Sequence, residues 1–167
     1  MRGWIGSLSL FLFSSAAISA AMAEAPDPAA VETVSWTAAA SPANPVAPAS
    51  ALKITLHAQV REGWHVYALK QLPGGPTPLR IAIEPNPVAA ASGEPTGGPP
   101  VKVHDPSFDL DTPLYSGPFS VTLPVRVAAH AAPGPQHIPV SVRFQTCNGR
   151  ICQPPKTIHL TAAVTIK

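Results

Sequence analysis

The chain has 167 residues, a formal net charge of +2 and only 12% charged residues. This length, with 46% hydrophobic residues, suits one globular domain that buries its own core. Basic residues are scattered singly and aromatic residues are few, which argues against a nucleic-acid-binding surface. The 22 prolines and 11 glycines separate short apolar stretches and argue against long helices.

The N-terminus has the pattern of a secretory signal peptide over residues 1–23. A single arginine precedes an apolar run over residues 4–18, and Ala21-Met22-Ala23 forms a small-x-small cleavage site. The run is shorter than the about 20 apolar residues that a membrane span needs. We therefore predict cleavage after Ala23, rather than an uncleaved anchor, and a mature protein that does not span a membrane.

After the cleavage site the sequence divides into two segments of different composition. Residues 24–50 are rich in Ala and Pro, and we interpret them as a loosely ordered leader with a short edge strand around 31–37. Residues 51–167 are predicted to form the folded domain. Its first strand, 52–60, alternates apolar and polar residues with the period of a half-buried strand. Further strands are predicted at 64–69, 79–83, 101–103, 121–127, 138–147 and 157–166.

Short strands with turn-rich connections predict an all-β antiparallel sandwich of about seven or eight strands. Close spacing favours antiparallel pairing, because parallel pairing needs long crossovers. Residues 84–100 are expected to be loop, and 104–117 an irregular segment. Pro124, inside the strand at 121–127, predicts a sheet edge or a bulge.

The two cysteines, Cys147 and Cys152, enclose the strong turn signal Asn148-Gly149. An even number of cysteines in an exported protein predicts a disulfide. If the four intervening residues form a hairpin loop, the cysteines lie opposite each other with Cα atoms about 4.5–5.5 Å apart, within disulfide range. A two-residue turn would instead place Cys147 opposite Arg150, so the sequence leaves two registers open.

Alternation along 138–147 places Cys147 on the polar face of its strand, which predicts an accessible sulfur. Closing so short a loop removes little entropy from the unfolded chain, so a redox role is favoured over a structural staple, although both remain open. A nearby cation such as Arg143, Arg150 or Lys156 would lower a thiol pKa. The cysteines lack a second ligand pair at zinc-like spacing, and we predict neither a metal site nor a cofactor.

The segment VRFQTCNGRICQPP, residues 142–155, resembles the active-site hairpin of the N-terminal periplasmic domain of the thiol:disulfide interchange protein DsbD. The segments GWHVY at 63–67 and LYSG at 114–117 resemble other parts of that family in the same order. The resemblance covers residues 50–167. It implies an immunoglobulin-like β-sandwich, which matches the architecture predicted from the strand pattern.

The resemblance also implies a function. The chain would be a monomeric, periplasmic thiol-disulfide interchange protein, with protein-disulfide reductase activity. It would accept electrons from a thioredoxin-like protein or a membrane electron donor and pass them to periplasmic proteins such as disulfide isomerases or cytochrome c maturation factors. Cys152, beside Pro154-Pro155, would form the mixed disulfide with the downstream partner, and Cys147 would resolve it. We expect the electron donor to be another polypeptide, because this sequence shows no membrane or thioredoxin-like domain.

Members of the family cover the disulfide with a cap loop that carries a Phe. The best match is Asp105-Pro-Ser-Phe108-Asp109, so Asp105 and Phe108 are candidate cap residues, although Phe108 could be an ordinary core residue. His65 and Tyr67 share one strand face and are expected to line the site. Two other functions stay open: a non-catalytic binding module with a structural disulfide, and an accessory protein whose cysteines bind copper.

Overall fold

The computed structural model describes Met1 and residues 32–167. The predicted signal peptide, apart from Met1, and the start of the predicted leader lie outside the described residues. Within the described part, the regular secondary structure consists of β-strands. This part contains no helix of the length and apolar character needed to cross a membrane.

Twelve strands follow one another along the described residues. They are β1 (Val34–Ser41), β2 (Ala51–Val60), β3 (His65–Tyr67), β4 (Arg80–Ile83), β5 (Ala89–Ala91), β6 (Thr96–Gly97), β7 (Val101–Asp105), β8 (Leu110–Ser116), β9 (Pro118–Val127), β10 (Gly134–Phe144), β11 (Thr146–Cys147) and β12 (Lys156–Ile166). The alternating stretches predicted at 52–60, 121–127 and 157–166 are confirmed as β2, β9 and β12, each somewhat longer than predicted.

The strands form three antiparallel sheets. The first has the order β1-β2-β9, with the short β5 and β6 both pairing with the far side of β9. The second has the order β12-β10-β4, and the third has the order β11-β3-β8-β7. The first two sheets contribute the inward residues of β2, β9, β10 and β12 to one core cluster, so this is an immunoglobulin-like β-sandwich, as predicted.

Alternation explains why these strands pack as they do. In β2 and β9 every second residue is buried, while the residues between them are exposed or half-buried. Burying a large aliphatic side chain contributes about 1.5–3 kcal/mol, so these rows stabilise the face-to-face arrangement. The largest fully buried aliphatic side chains of the main core include Ile54, Leu56, Leu123, Ile138, Val140 and Val142.

Of the two sequence predictions for Pro124, a sheet edge or a bulge, the sheet edge is wrong. It pairs with Lys53 of β2, and on the other side of β9 its carbonyl accepts the Ser92 N–H at 2.9 Å. The N–H and C=O of one strand residue point to the same side, so the missing N–H of Pro124 faces the gap between β5 and β6. A central strand tolerates a proline where its neighbour is interrupted.

Strand β1 lies within the segment predicted to be the leader. It pairs along its whole length with β2, from Val34 opposite Val60 to Ser41 opposite Lys53, and forms an edge of the first sheet. The chain then crosses to the second sheet, where Val46 bridges in parallel to Ile166. The sandwich therefore includes residues that precede position 51.

Two stretches predicted to lack strands contain them. The loop prediction for 84–100 is wrong at β5 and β6, which add two short edges to β9. The prediction of an irregular segment at 104–117 is also wrong, because β7 and β8 form a hairpin whose turn is 106–109. Thr112 is a polar residue at a buried position of β8, and Leu114 and Tyr115 are buried one after the other, so the strand lacks a clear apolar alternation in the sequence.

Candidate functional site

The chain changes sheets immediately before the first cysteine. β10 ends at Phe144 in the second sheet, and Thr146 and Cys147 pair with β3 in the third. Gln145 forms the break: its carbonyl accepts the Tyr67 N–H at 3.3 Å, and its side-chain oxygen accepts a backbone N–H at 2.8 Å. The predicted strand 138–147 is therefore two strands, and the alternation of β10 does not continue to Cys147.

Cys147 is fully buried, so the prediction of an accessible Cys147 sulfur is wrong. Its side chain belongs to a small cluster with Tyr67 and Leu114, separate from the main core, and Phe108 and Cys152 pack against it. Cys152 is half-buried. The two cysteines therefore differ in accessibility, and the less buried one is the second in the sequence.

The two cysteines form a disulfide and face each other as an isolated antiparallel bridge, with Cα atoms 4.0 Å apart. This confirms the register with four residues in the loop. Asn148 holds the loop closed: its side-chain oxygen accepts the N–H groups of Arg150 at 3.0 Å and Ile151 at 2.8 Å. Gly149 has a φ of +79°, in the left-handed region that glycine adopts without steric cost.

Residues on both sides of the loop fix it to the sandwich. The Gln153 N–H donates to the Thr146 carbonyl at 2.9 Å. The hydroxyls of Thr146 and Thr33 share a buried hydrogen bond of 3.0 Å. Thr33 precedes β1, so the segment predicted as leader helps to position the cysteine strand.

The turn between β7 and β8 covers the disulfide. Asp105 shapes it: its Oδ1 accepts the Ser107 N–H at 2.8 Å, and its carbonyl accepts the Phe108 N–H at 3.2 Å. The Ser107 hydroxyl lies 3.4 Å from the Cys152 sulfur and 3.9 Å from the Cys147 sulfur. The sequence pointed to Asp105 and Phe108 but gave no sign of Ser107, which the β7–β8 hairpin places beside the sulfurs.

Phe108 lies over the small cluster, where its ring meets that of Tyr67 edge to face with centroids 5.8 Å apart. The Tyr67 hydroxyl donates to Asp105 Oδ2 at 2.5 Å and lies 3.7 Å from the Cys152 sulfur. Burial and the hydrogen bond to Asp105 raise the pKa of Tyr67 well above its ordinary value. The tyrosine therefore stays protonated and acts as a hydrogen-bond donor beside the sulfurs.

His65 lies next to Tyr67 on the same strand face, with ring centroids 5.0 Å apart. Its Nε2 is 3.9 Å from Asp105 Oδ2, beyond hydrogen-bonding distance. Burial lowers the pKa of His65, and the Asp105 carboxylate offsets part of that effect. The structure thus brings together all six residues that the sequence suggested for the site: Cys147, Cys152, Asp105, Phe108, His65 and Tyr67.

The cations suggested by the sequence are not part of this arrangement. Arg150 and Lys156 are exposed, and Arg143 lies on β10 opposite Arg80 of β4. In the described part of the chain, the polar groups that contact the sulfurs are the hydroxyls of Ser107 and Tyr67. A thiolate formed here would therefore meet neutral hydroxyl groups, with Ser107 as the available donor, rather than these cations.

Three groups of the site also have the chemistry of metal ligands. His65 Nε2, an Asp105 carboxylate oxygen and Cys147 Sγ all lie within 4.8 Å of one another. His65 Nε2 is buried without a hydrogen-bond partner among the described residues. Because these residues come from three different strands, their spacing in the sequence gives no sign of the cluster.

Comparisons with known proteins agree with this description. A family model described as "Thiol:disulfide interchange protein DsbD, N-terminal" matches residues 33–163. No curated protein sequence matches the chain. The solved N-terminal periplasmic domain of ScsB from Proteus mirabilis has a TM-score of 0.50 and 17% identity, covering 78% of this chain and 46% of that one. This likeness concerns the fold, and the chain spans less than half the length of the ScsB structure.

Two other solved structures are more distant. A family 123 glycoside hydrolase from Clostridium perfringens has a TM-score of 0.38 and 6% identity, covering 81% of this chain and 28% of that one. BcpA, the major pilin subunit of Bacillus cereus, has a TM-score of 0.35 and 12% identity, covering 79% of this chain and 40% of that one.

Proposed function

Because the chain belongs to the family of the DsbD N-terminal domain, a thiol:disulfide interchange domain, we propose that it is an exported, periplasmic protein-disulfide reductase working through Cys147 and Cys152. The observation that best supports this is the asymmetry of the disulfide. Cys152 is half-buried and reachable, whereas Cys147 is fully buried beneath the 106–109 turn. Exchange requires one sulfur that a partner thiolate can reach and a second that leaves or resolves.

Electrons enter at Cys152. A thiolate of a thioredoxin-like donor attacks the Cys152 sulfur, forms a mixed disulfide with it, and breaks the bond to Cys147, which leaves with the electron pair as a thiolate. A second thiolate of the donor then attacks the donor's own sulfur in the mixed disulfide and releases Cys152. The donor ends as a disulfide and this protein as a dithiol, so two electrons have been transferred.

Electrons leave by the same route. The Cys152 thiolate attacks a disulfide of the acceptor and forms a mixed disulfide, while one acceptor sulfur leaves as a thiolate that takes up a proton. Cys147 then attacks Cys152, which restores the internal disulfide and releases the reduced acceptor. Because Cys147 lies directly opposite Cys152, this resolving step is intramolecular and needs no access from outside.

The surroundings of the pair support this chemistry. The Ser107 hydroxyl, 3.4 Å from the Cys152 sulfur and 3.9 Å from the Cys147 sulfur, can donate a hydrogen bond to a thiolate, and bonds to ionised acceptors are the stronger ones. The Tyr67 hydroxyl gives its one proton to Asp105 and so orients that carboxylate beside the pair. Phe108 acts as the cap, and its movement widens the access of a partner to Cys152 and uncovers the cluster around Cys147. An open groove lined by Gly63, His65, Asp105, Pro106, Asn148 and Gly149 lies beside the pair and provides a docking surface.

The proposed partners follow from this role. The donor is a thioredoxin-like redox protein or a membrane electron-donor protein, and the acceptors are oxidised periplasmic proteins, including factors of cytochrome c maturation. The protein acts as a monomer. The sandwich supplies the exchange site, and the donor supplies the electrons.

Trapping of the mixed disulfide tests the proposal. Each single-cysteine variant is mixed with a thioredoxin-like protein that keeps only its attacking cysteine, activated as a mixed disulfide with a small aromatic thiol that leaves on exchange, and adducts are separated on non-reducing gels. We expect Cys147→Ser to form a stable adduct through Cys152, and Cys152→Ser to form little, because Cys147 is buried. The reverse pattern would exchange the two roles. Failure of both variants to form an adduct would contradict the exchange function, and the variant lacking both cysteines is the control for non-covalent association.

A further inference from the structure

The redox pair shares its site with two donor groups that disulfide exchange does not require. Within the part of the chain that the structure describes, His65 Nε2 is buried without a hydrogen-bond partner, and it lies 3.9 Å from Asp105 Oδ2. Both groups lie within 4.8 Å of Cys147 Sγ, and Cys152 Sγ is bonded to that sulfur in the oxidised state. Reduction would therefore free two sulfurs, which together with one imidazole nitrogen and one carboxylate oxygen could bind a single ion.

We propose that the reduced protein binds Zn²⁺ at this centre through Cys147, Cys152, His65 and Asp105. The donor set selects the metal: thiolate and imidazole ligands disfavour Mg²⁺ and Ca²⁺, and zinc takes sulfur, nitrogen and carboxylate oxygen in tetrahedral sites. This inference rests on the proposed function only in requiring that the disulfide can be reduced.

The distances fit such a site after a small contraction. With Zn–S near 2.3 Å and Zn–N or Zn–O near 2.1 Å, ligand atoms of a tetrahedral site lie roughly 3.4–3.8 Å apart. The observed separations among the three grouped atoms reach at most 4.8 Å, and that between His65 and Asp105 is already 3.9 Å. Side-chain rotation and separation of the two sulfurs after reduction supply the remaining movement.

The residues around the centre suit the ligands. Asp105 is oriented by the Tyr67 hydroxyl at Oδ2 and by the Ser107 N–H at Oδ1. Hydrogen bonds of this kind fix ligating groups and raise metal affinity. Binding to the dithiol releases two protons, so the site carries a net charge of −1 with zinc bound to both thiolates, the same as in the oxidised protein with Asp105 ionised. The buried pocket thus gains no net charge.

A functional consequence follows directly. Zinc would occupy both thiolates, so the loaded protein could neither attack an acceptor disulfide nor reoxidise. Exchange activity would then depend on zinc concentration, and the protein would hold its electrons in a protected form until the metal was withdrawn.

A zinc titration of the intact protein tests the proposal. The protein is reduced with a phosphine, desalted without oxygen, and titrated with Zn²⁺ against a chromophoric chelator, with the oxidised protein in parallel. We expect one Zn²⁺ per reduced chain and no comparable binding by the oxidised form. His65→Ala and Asp105→Asn should each weaken binding by more than about tenfold, since even outer-shell changes cost this much.

His104→Ala is the matched control. This histidine is adjacent to Asp105 on β7, but it is mostly exposed and contacts Asp109 and Asp111. Its removal should leave zinc affinity unchanged. Urea unfolding of each oxidised variant checks the fold, and His65→Gln replaces His65→Ala if the latter does not fold. Cobalt(II) provides a second readout, because the intense visible bands of a tetrahedral thiolate site should weaken in the His65 and Asp105 variants.

The proposal is overturned if the reduced protein binds zinc no more tightly than the oxidised one. It is equally overturned if the His65 and Asp105 variants bind like the wild type, because the cysteines alone would then hold the metal, or if His104→Ala loses as much affinity as they do. Adduct formation by Cys147→Ser without zinc binding would leave the exchange function intact. Zinc binding without any adduct would support this site while removing the redox role.

Discussion

Removal of the Tyr67 hydroxyl tests the polar network beneath the disulfide. This hydroxyl donates to Asp105 Oδ2 at 2.5 Å, and Asp105 is only 3% exposed. In Tyr67→Phe the carboxylate keeps the Ser107 N–H but loses its closest donor. Hydrogen bonds to charged groups contribute about 1.5–3 kcal/mol, so we expect the free energy of unfolding to fall by about 1.5–3 kcal/mol.

Tyr115→Phe is the matched control for this variant. Tyr115 is also buried, but its hydroxyl donates to the neutral carbonyl of Gly98 at 3.2 Å. A bond of this kind contributes about 0.5–1.5 kcal/mol. Both variants are compared by urea unfolding of the oxidised protein, with unchanged m-values as the check that the same transition is observed. A loss in Tyr67→Phe no larger than that in Tyr115→Phe would refute the importance of the buried carboxylate.

Three further predictions concern the disulfide and its cover. Reduction of the disulfide should leave the protein folded and lower its free energy of unfolding by about 2 kcal/mol, which is the loop-closure entropy of so short a loop. Urea unfolding with and without reductant measures this difference, and a reduced chain that is unfolded without urea would contradict the prediction. Because burial lowers the pKa of His65 below 6.5, the unfolded chain binds its proton more readily, so stability should rise with pH through the window between the lowered value and 6.5. In chelator-treated protein, His65→Gln should flatten this rise. If the urea midpoint changed between about pH 5.5 and pH 7.5 by as much in His65→Gln as in the wild type, the rise would not come from His65. Phe108→Ala should speed alkylation of the reduced thiols about two- to tenfold, which is the rate factor that corresponds to the energy of an aromatic ring contact such as the one with Tyr67. Val103 is exposed on the same hairpin, and Val103→Ala should leave the alkylation rate unchanged.

Much of the fold follows from local alternation. β2, β9 and β12 carry uninterrupted period-two patterns, and a sandwich is the ordinary way to bury their apolar rows. The sequence does not show β8 because Thr112 takes a buried position and Leu114 and Tyr115 are both buried, while pairing with β3 and β7 holds the strand in place. The sheet edge predicted from Pro124 is wrong because the gap between β5 and β6 is a tertiary feature that strand composition does not reveal.

Several features of the site depend on tertiary structure and could not be predicted from the sequence. The disulfide register was one of two that the turn signal allowed, and the structure selects the four-residue loop. The accessibility of Cys147 was predicted wrongly, because Gln145 ends β10 and the cysteine pairs in another sheet. His65 and Asp105 are 40 positions apart, so only tertiary structure could show that they meet beside the sulfur.

The reduction potential of the Cys147–Cys152 pair tests the central claim most directly. The protein is equilibrated in graded thiol buffers without metal, its free thiols are trapped, and the reduced fraction is read by mass. A carrier of electrons between thiol proteins predicts a potential between about −180 and −270 mV, the range of known exchange proteins. A potential more negative than about −300 mV would mark the bridge as structural and would contradict the proposed function.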